Sequence, residues 1–561
     1  MPDNIESYKV LCNGGLTTSE NHLALAEQET GSATRLVNYE VSLFGGYRRI
    51  NGYEKYDATY SEVGVSNVQA SGSVSEGKVL GVAIYKDAST GNEVIIAARK
   101  NVGQNTYSFL HFVANVGWVN YSTGLTLNYT SGSKTVQKIR HVSFNFGQGQ
   151  GNEICFVDGV NPAVIFNGTQ WRQILSSNNT PTASGPYGGP MAYDSPSYVD
   201  VFQNHLVLAG DPSYLSGVSH SAPNTAWDFT AGSGGGQLAM GYDVVQIKPF
   251  RNNLFIFGRN NIKKAVPNPD TSASAAFLTE SVTANVGCIA TDSVVEIGGD
   301  LVFLSPDGLR PCAGTSRIGD VEIESISKKI QGLVAGLNTR YNLVNLNAVV
   351  IRAKSQLRYF IGDDSLSASD SYGIIGGLRT SDQKLGWEFG ELQGIRASAT
   401  TSGYVGTEEV VLHGDYDGHL YKQEVGSTFN GENIISIYST PYLDFGDTEV
   451  RKKLRKINAF VRAEGPLTLG LSFQYDWGDD DTPTPASYEE SSIGSPVVYD
   501  SPLDLDYGET GVIYGGSDKP VFTTSTQGSG FSVRCTFVSE GNFNPHSIQG
   551  FVYEFTIDGR R

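Results

Sequence analysis

Two short stretches contain residue types that bind metal ions. HGDYDGH (413–419) holds two histidines and two aspartates, and DWGDDD (476–481) is strongly acidic. A structural zinc site needs further ligands at characteristic spacings, and a calcium-binding EF-hand loop needs a glycine and a distal glutamate. Because neither stretch supplies them, we expect a hairpin turn with exposed His413 and His419 at 413–419, and a solvated loop at 476–481 with an exposed acidic tip at Asp479, Asp480 and Asp481. The sequence predicts no metal site and no cofactor.

Patterns typical of nucleophilic catalysis are also missing from the sequence. No Gly-x-Ser-x-Gly stands in a strand-turn-helix context, and the remaining histidines occur singly, with no sign of a catalytic triad. FNGTQW (166–171) approaches the Asp-box of sialidase propellers but lacks its serine and aspartate. We therefore predict that the chain is not an enzyme. The alternative is a glycan-binding or glycan-hydrolysing β-propeller on a virion, which for hydrolysis would use paired carboxylates.

A short apolar run preceded by two polar residues recurs along the chain. The stretch GGDLVFLSPDGLRPCAG (298–314) contains one copy, in which SPDG follows the run. Successive copies are 60, 52, 48, 47, 56 and 53 residues apart, and their first apolar residues are Val94, Ile154, Leu206, Leu254, Leu301, Leu357 and Val410. The spacing indicates seven repeat units.

Most of the aligned runs are followed by a turn signal and a second apolar run. Asp158-Gly159, Asp307-Gly308 and Asp417-Gly418 are examples, and such residues join antiparallel strands because they tolerate positive φ. Units of about 50 residues built from short strands are typical of β-propellers, in which each small sheet covers its faces by packing against its neighbours. We predict an all-β fold with a propeller of about seven blades at 61–447. Two stacked sandwiches are the alternative.

The two ends of the chain differ from the repeat region. Residues 1–60 precede the first repeat, and we predict that they form an N-terminal arm that docks on the ring or closes it. Residues 448–561 contain alternating strand-like segments joined by long loops, and we predict that they form a C-terminal β-sandwich-like domain. One helix is expected at 325–337.

The net charge and the cysteine content limit which binding partners and which cellular compartment are expected. Forty Lys and Arg residues against 58 Asp and Glu residues give a net charge of −18, which disfavours binding to a phosphate backbone. Five scattered cysteines without metal-ligand spacing fit folding in a reducing cytoplasm, and we expect neither a signal peptide nor a membrane segment. The basic cluster VRKKLRK (450–456) is a predicted contact for an acidic partner, through Arg451, Lys452, Lys453, Arg455 and Lys456.

Several stretches resemble a known family of viral proteins. They are RLVNYEVSLFGGYRRINGYEKY (35–56), NEICFVDGVNPAVIFNGTQW (152–171), VGCIATDSVVEIGGDLVFLSPDGLRPCAG (286–314), AVVIRAKSQLRYFIG (348–362) and STPYLDFGDTEVRKKLRKINAF (439–460). These stretches are similar to the nozzle, or tail tubular protein B, of short-tailed bacteriophages. The present chain is short for that family.

The resemblance implies a structural virion protein. It implies a homohexameric tube below the portal and the adaptor, which conducts and retains genomic DNA, anchors tail fibres, and is assembled in the host cytoplasm before it forms part of the virion tail. Double-stranded DNA would pass through without specific binding. The strong negative charge agrees with this expectation, because an acidic lumen repels phosphates.

Overall fold

The computed structural model describes residues 5–42, 45–56, 77–88, 90–113, 117–147, 151–270, 275–312, 325–381, 384–465, 467–478, 484–492 and 521–560. Strands account for 52% of the chain and helices for 7%, so the all-β prediction is confirmed. The helices are α1 (His22–Gln28) and α2 (Gln331–Arg340). The second follows a 3-10 turn at Lys328–Ile330, within and just beyond the segment predicted to be helical.

In the described residues, 42 strands make up the sheets. The N-terminal strands are β1 (Glu6–Leu11), β2 (Arg35–Val37), β3 (Tyr39–Val41), β4 (Tyr47–Arg49) and β5 (Tyr53–Lys55). The repeat region begins with β6 (Val79–Lys86), β7 (Glu93–Lys100), β8 (Tyr107–Val113), β9 (Gly117–Asn120), β10 (Thr130–Ser131), β11 (Lys134–Thr135), β12 (Arg140–Phe144), β13 (Glu153–Val157), β14 (Val164–Phe166), β15 (Trp171–Leu175) and β16 (Tyr187–Gly188).

The repeat region continues with β17 (Tyr198–Phe202), β18 (His205–Asp211), β19 (Tyr214–His220), β20 (Gly236–Ala239), β21 (Gln246–Phe250), β22 (Asn253–Phe257), β23 (Ile262–Pro267), β24 (Phe277–Thr283), β25 (Val295–Ile297), β26 (Asp300–Ser305), β27 (Gly308–Pro311), β28 (Leu346–Ile351), β29 (Gln356–Ile361), β30 (Tyr372–Ser381), β31 (Lys384–Gln393), β32 (Ala399–Val405), β33 (Glu408–Gly414) and β34 (Leu420–Gln423). The last strands are β35 (Ile434–Ser439), β36 (Val450–Ala463), β37 (Leu467–Tyr475), β38 (Tyr488–Ser492), β39 (Val521–Ser525), β40 (Ser529–Gly530), β41 (Val533–Gly541) and β42 (His546–Arg560).

The repeat region forms a β-propeller arrangement with six blades that are sheets of their own. These sheets are β6-β7-β8-β9, β12-β13-β14-β15-β16, β17-β18-β19-β20, β21-β22-β23-β24, β25-β26-β27 and β32-β33-β34-β5. Strands β28 to β31 belong to a nine-stranded sheet that continues through β2 and β35 into β41, β37 and β38. The repeat-based prediction of a propeller is therefore confirmed, whereas a seventh separate blade is not.

Each aligned apolar run is the second strand of its sheet. Val94, Ile154, Leu206, Leu254, Leu301, Leu357 and Val410 lie on β7, β13, β18, β22, β26, β29 and β33. Several of these strands, such as β13, β18 and β29, are buried along their whole length, because both of their faces pack against neighbouring sheets. The apolar clusters lie between successive sheets around the ring. The SPDG segment is the turn between β26 and β27, where Gly308 has a φ of 140°.

The N-terminal strands join the rest of the chain at three places. Strand β5 pairs with β34 and completes the last blade, β2 lies between β31 and β35, and β1 and β4 both pair with β42. The sheets thus cross the predicted boundaries at 60 and 447, and those boundaries stay a prediction.

The C-terminal strands form two layers that they share with other parts of the chain. One layer is a seven-stranded sheet built on β42 and β36, and the other is the far half of the nine-stranded sheet. Their facing side chains form one core, in which the buried rings of Phe537 and Phe551 stack with centroids 4.3 Å apart. The predicted separate sandwich is corrected on this point, because its sheets also contain β1 to β4 and β28 to β31.

This core gives a stability prediction. Replacing the fully buried Phe537 by alanine removes the stacked ring between the two layers, and we expect a loss of about 3–5 kcal/mol in the free energy of unfolding. Urea denaturation followed by tryptophan fluorescence measures it. The matched control is Tyr404→Ala, at a side chain that is 51% exposed, which should change stability by less than about 0.5 kcal/mol. A loss below about 1 kcal/mol for Phe537→Ala would contradict the shared core.

Candidate functional site

The site with the most convergent polar groups is a cavity at the centre of the propeller. It has a volume of about 210 Å³ and is lined by the first strands, or the residues just before them, of all the sheets around the ring. First strands lie nearest the axis, so side chains distant in sequence meet there. The polar lining consists of Lys138, Arg140, His141, Asp200, Gln246, Lys248, Asp292, Asn347 and Thr400.

An ionic cluster centred on Asp292 dominates one side of this axial cavity. Asp292 lies in a 3-10 turn, Thr291–Ser293, just before β25. Its two carboxylate oxygens accept from Arg140 Nε at 2.7 Å and Nη2 at 2.9 Å, and Lys138 Nζ lies 3.0 Å from Oδ2. Such a two-point guanidinium contact is strong and fixes the orientation of both groups.

The remaining donors of the two cations bind backbone carbonyls. Arg140 Nη1 donates to the carbonyl of Ser197 at 3.2 Å, and Lys138 Nζ donates to the carbonyl of Leu346. The guanidinium also lies over the ring of Tyr198, 5.3 Å from its centroid. The cluster therefore connects strands of four different sheets at the axis.

Burial and charge displace the pKa values in this cluster. Burial lowers the pKa of Lys138 to about 8, against a partly compensating effect of Asp292. Burial alone would raise the pKa of Asp292, but Arg140 and Lys138 outweigh it and hold that pKa well below its usual range. Asp292 is thus ionised at neutral pH, and the neighbouring Lys138 loses its proton at a lower pH than an ordinary lysine does.

A second ion pair lies across the cavity. Asp200 Oδ2 is 2.9 Å from Lys248 Nζ, and the Asp200 side chain is 11% exposed while that of Lys248 is 37% exposed. Burial and the neighbouring Lys248 lower the pKa of His141 to about 4, so its imidazole is neutral at pH 7. Of the two pairs, Asp200–Lys248 is the one that is more open to solvent.

The neutral polar groups of the cavity mainly hold the ring together. Gln246 Nε2 donates to the carbonyl of Thr291 at 3.1 Å, Asn347 Nδ2 to that of Ala397 at 3.0 Å, and Thr400 Oγ1 to that of Ala348 at 3.0 Å. Each of these bonds joins two neighbouring sheets. The lining is consequently preorganised.

The residues predicted from sequence lie elsewhere. Asp479, Asp480 and Asp481 lie outside the described residues. In VRKKLRK, the alternation of β36 leaves Lys453 and Arg455 exposed. Arg451 donates to Ser529 Oγ at 2.9 Å, and Lys456 lies 3.7 Å from a carboxylate oxygen of Glu554.

Lys452 differs from the other members of the basic cluster. It is only 5% exposed, and its ammonium group donates to the backbone carbonyls of Asp447 and Phe531. Strand alternation turns it into the sandwich, so Lys452 is withdrawn from the predicted contact. Contact with a partner stays a prediction for the other four.

The HGDYDGH segment forms a hairpin turn between β33 and β34, as predicted. Asp415 Oδ1 accepts the backbone N–H of Asp417 at 2.9 Å and of His419 at 2.7 Å, which stabilises the turn. The expected exposure of His413 is wrong, because its side chain is buried within the sheet, with Nδ1 3.2 Å from Gln423 Nε2. Within the described ranges, no three His, Cys, Asp or Glu side chains are grouped as metal ligands.

Sequence reasoning missed the axial cluster because its members are far apart along the chain. A weak signal exists, since Asp200 and Lys248 each precede an aligned run by six residues, at Leu206 and Leu254. A charged residue at the same place in two repeats indicates a shared position at the axis. Arg140 and Asp292 have no such common offset.

Another unusual carboxyl group lies outside the cavity lining. Burial raises the pKa of Glu153 to about 7, and its Oε1 accepts from the Tyr187 hydroxyl at 3.3 Å. The same hydroxyl accepts from Arg172 Nη1 at 3.1 Å. Glu153 thus belongs to a hydrogen-bond chain within one blade.

The comparisons with known proteins show a fold and no family. No protein-family model matches the chain, and no curated protein does. Among solved structures, an ancestral GH74 enzyme is matched at 10% identity with a TM-score of 0.38, over 62% of this chain and 48% of the enzyme. The chain therefore spans about half the length of that protein.

Two further solved structures are similar at the same level. The exo-β-1,3-galactanase of Phanerochaete chrysosporium is matched at 9% identity with a TM-score of 0.24, over 90% of this chain and all of that one. The extracellular domain of a proposed one-component system from B. thetaiotaomicron is matched at 10% identity with a TM-score of 0.35, over 83% of this chain and 58% of that one.

These neighbours overturn the prediction that the chain is not an enzyme. Two of the three are glycoside hydrolases. At such low identity and TM-score the likeness carries no substrate or mechanism to this chain. No helix in the described part of the chain is long and apolar enough to cross a membrane.

The low pKa of Lys138 gives a prediction on pH dependence. Between pH 8 and 10.5 the unfolded chain binds more protons at this lysine than the folded protein, so its contribution to the free energy of unfolding rises with pH across that window. Replacement by methionine removes the contribution. Urea denaturation at several pH values gives the free energy of unfolding of the wild type and of Lys138→Met. The value for the wild type minus that for Lys138→Met should therefore increase from about pH 8 to 10.5. A difference that is constant with pH would contradict this assignment.

Proposed function

We propose that the axial cavity binds a terminal sugar unit and that the chain is a glycan-binding or glycan-hydrolysing β-propeller. The observation that supports this most is the convergence of charged and polar side chains from six sheets on one preorganised cavity. Displaced pKa values at Lys138, His141 and Asp292 mark the same place. A cavity that combines convergent polar groups with perturbed titration is a typical binding or active site.

The chemistry of the lining suits a hydroxyl-rich ligand. Carboxylates of Asp200 and Asp292 accept hydrogen bonds from hydroxyl groups, and Lys248 donates to hydroxyl or ring oxygens. Aliphatic side chains on the same wall offer contacts for sugar C–H groups: Val82, Ile139, Ile247 and Val294. A volume of about 210 Å³ is below the roughly 300–1,000 Å³ of pockets for drug-sized ligands, so one sugar unit fits better than a chain.

Cleavage of a glycosidic bond places further demands on the site. It needs one ionised carboxylate and one carboxylic acid that donates a proton to the leaving oxygen. Asp292 fits the ionised role, because Arg140 and Lys138 hold it in that state. The other carboxyl group of the described lining, Asp200, forms an ion pair with Lys248 at 2.9 Å, so the lining supports sugar binding better than cleavage.

A saccharide-binding experiment tests this proposal. Isothermal titration against a panel of neutral and acidic mono- and disaccharides should detect at least one ligand, and Asp200→Asn should weaken its binding by about tenfold or more, because an acceptor of the cavity is lost. The matched control is Asp364→Asn, at an 83% exposed side chain outside the cavity. Release of reducing sugar from the corresponding oligosaccharides, measured in parallel, separates cleavage from binding. Failure of the whole panel, or equal affinity in Asp200→Asn, would reject the axial site.

We also propose, as a second candidate, that the chain is a nozzle subunit of a short-tailed phage. The support consists of the five stretches of sequence resemblance and the net charge of −18, which would keep DNA from adhering to a lumen. In this proposal six subunits form a tube that meets the adaptor and the tail fibres in the virion, after assembly in the host cytoplasm. We count β28 to β31 as a seventh blade of its propeller.

Particle mass tests the second candidate. Mass photometry of the purified chain, alone and with the adaptor of the same phage, should give a species of about 362 kDa, which is six chains of 60.3 kDa. Class averages of the same sample should show a ring with a central hole. A monomer under both conditions would reject the hexamer without bearing on sugar binding.

A further inference from the structure

The outer face of the seven-stranded sheet carries exposed side chains, among them Lys9, Leu11 and Phe460. Its inner face is buried against the nine-stranded sheet through residues such as Ile457, Phe551 and Tyr553. On the outer face of an antiparallel sheet exposed to water, polar side chains are the rule. One row across four strands departs from that rule.

The row runs at right angles to the strands and is apolar throughout. Register places Leu11 of β1 beside Gly550 of β42, Gly550 beside Phe460 of β36, and Phe460 beside Val521 of β39. Leu11 is 55% exposed and Phe460 is 38% exposed. We call these four residues the apolar row.

Gly550 creates a groove in the middle of this row. The groove has a volume of about 400 Å³, and its lining comes only from β1, β36 and β42 or residues next to them. A Cβ atom at Gly550 would lie 2.6 Å from the carbonyl oxygen of Val10, so the backbone packing itself requires glycine there. The groove is therefore built into the sheet.

Basic side chains flank the apolar row. On β1, Lys9 lies two residues before Leu11 and pairs with Val552. On β36, Arg462 lies two residues after Phe460 and pairs with Ser547. Both are exposed, as are Lys453 and Arg455 farther along β36. This concentration of cations contrasts with the excess of 18 acidic residues in the whole chain.

We infer that the apolar row and its flanking cations form a contact surface for the acidic surface of a second copy of this chain. An apolar centre with a charged rim is the usual composition of a protein interface. A second copy supplies the opposite charge, because acidic residues outnumber basic ones 58 to 40 in the whole chain while Lys9, Lys453, Arg455 and Arg462 are exposed on this sheet. Electrostatic complementarity of this kind sets orientation and the rate of association.

Such a contact would repeat from one copy to the next. A basic patch that meets an acidic patch elsewhere on the next copy is a head-to-tail contact, and repeated head-to-tail contacts close into rings or run on as filaments. Two basic faces would instead repel each other. This inference is independent of the sugar site; it rests on the assembly proposal and names the surface for it.

The test compares self-association of three forms of the full chain. Mass photometry and sedimentation velocity of the wild type should show oligomers that weaken as sodium chloride rises from 50 to 500 mM. Phe460→Asp places a carboxylate in the apolar row and should weaken association at least about tenfold. The control Tyr404→Asp alters a 51% exposed ring on a blade and should associate like the wild type.

A crosslink identifies the surface on the other copy. Benzoylphenylalanine at position 460, activated by light, should yield dimers of this chain, and mass spectrometry should place the second attachment in an acidic surface rather than at the apolar row. Folding of every variant is checked by circular dichroism and by its thermal midpoint.

Three outcomes would overturn the inference. If the wild type forms oligomers that Phe460→Asp leaves unchanged, the surface is wrong while the assembly proposal stands. If crosslinks join two apolar rows, the contact is symmetric and the charge argument fails. If the wild type is monomeric at every salt concentration, the inference fails, whereas the hexamer is rejected only if the chain also stays monomeric with the adaptor.

Discussion

The propeller depends on the burial of both faces of its second strands. A sheet of four short strands cannot cover its own faces, so each one is stable only between two neighbours, and the stacking must close on itself or end in exposed apolar surface. Strands such as β13, β18 and β29 are buried from end to end for this reason. Closure is achieved by β5, which comes from the N-terminal segment and pairs with β34 of the last blade.

Closing the ring brings the first strands together at the axis, and this creates the axial cavity. Charges that are unremarkable in sequence become a buried cluster there, with Arg140 and Lys138 around Asp292 and Lys248 beside Asp200. Buried charges are tolerated only when they are paired and hydrogen-bonded, and these pairs also join different sheets. The same preorganisation that holds the ring offers acceptors and donors to a polar ligand.

The C-terminal layers are also stabilised by burying one face of each sheet against another sheet. The nine-stranded sheet continues from β28 to β31 through β2 and β35 into β41, β37 and β38, so one sheet connects the repeat region with the C-terminal strands. Its partner layer leaves the apolar row around Gly550 uncovered. An antiparallel sheet with one buried and one exposed face normally keeps the exposed face polar, and Leu11 and Phe460 depart from that pattern.

The sequence by itself determined the all-β class, the repeat and the place of each second strand. A strand that is buried on both faces needs a short continuous run of apolar residues. Such runs, for example those that begin at Leu206 and Leu301, can be recognised in the sequence without a structure. Only the tertiary structure decided that β2 and β5 leave the N-terminal segment to join two different sheets, that Lys452 faces inward, and that Asp292 meets Arg140. Those contacts join residues up to hundreds of positions apart, and local patterns carry no record of which distant strand completes a sheet.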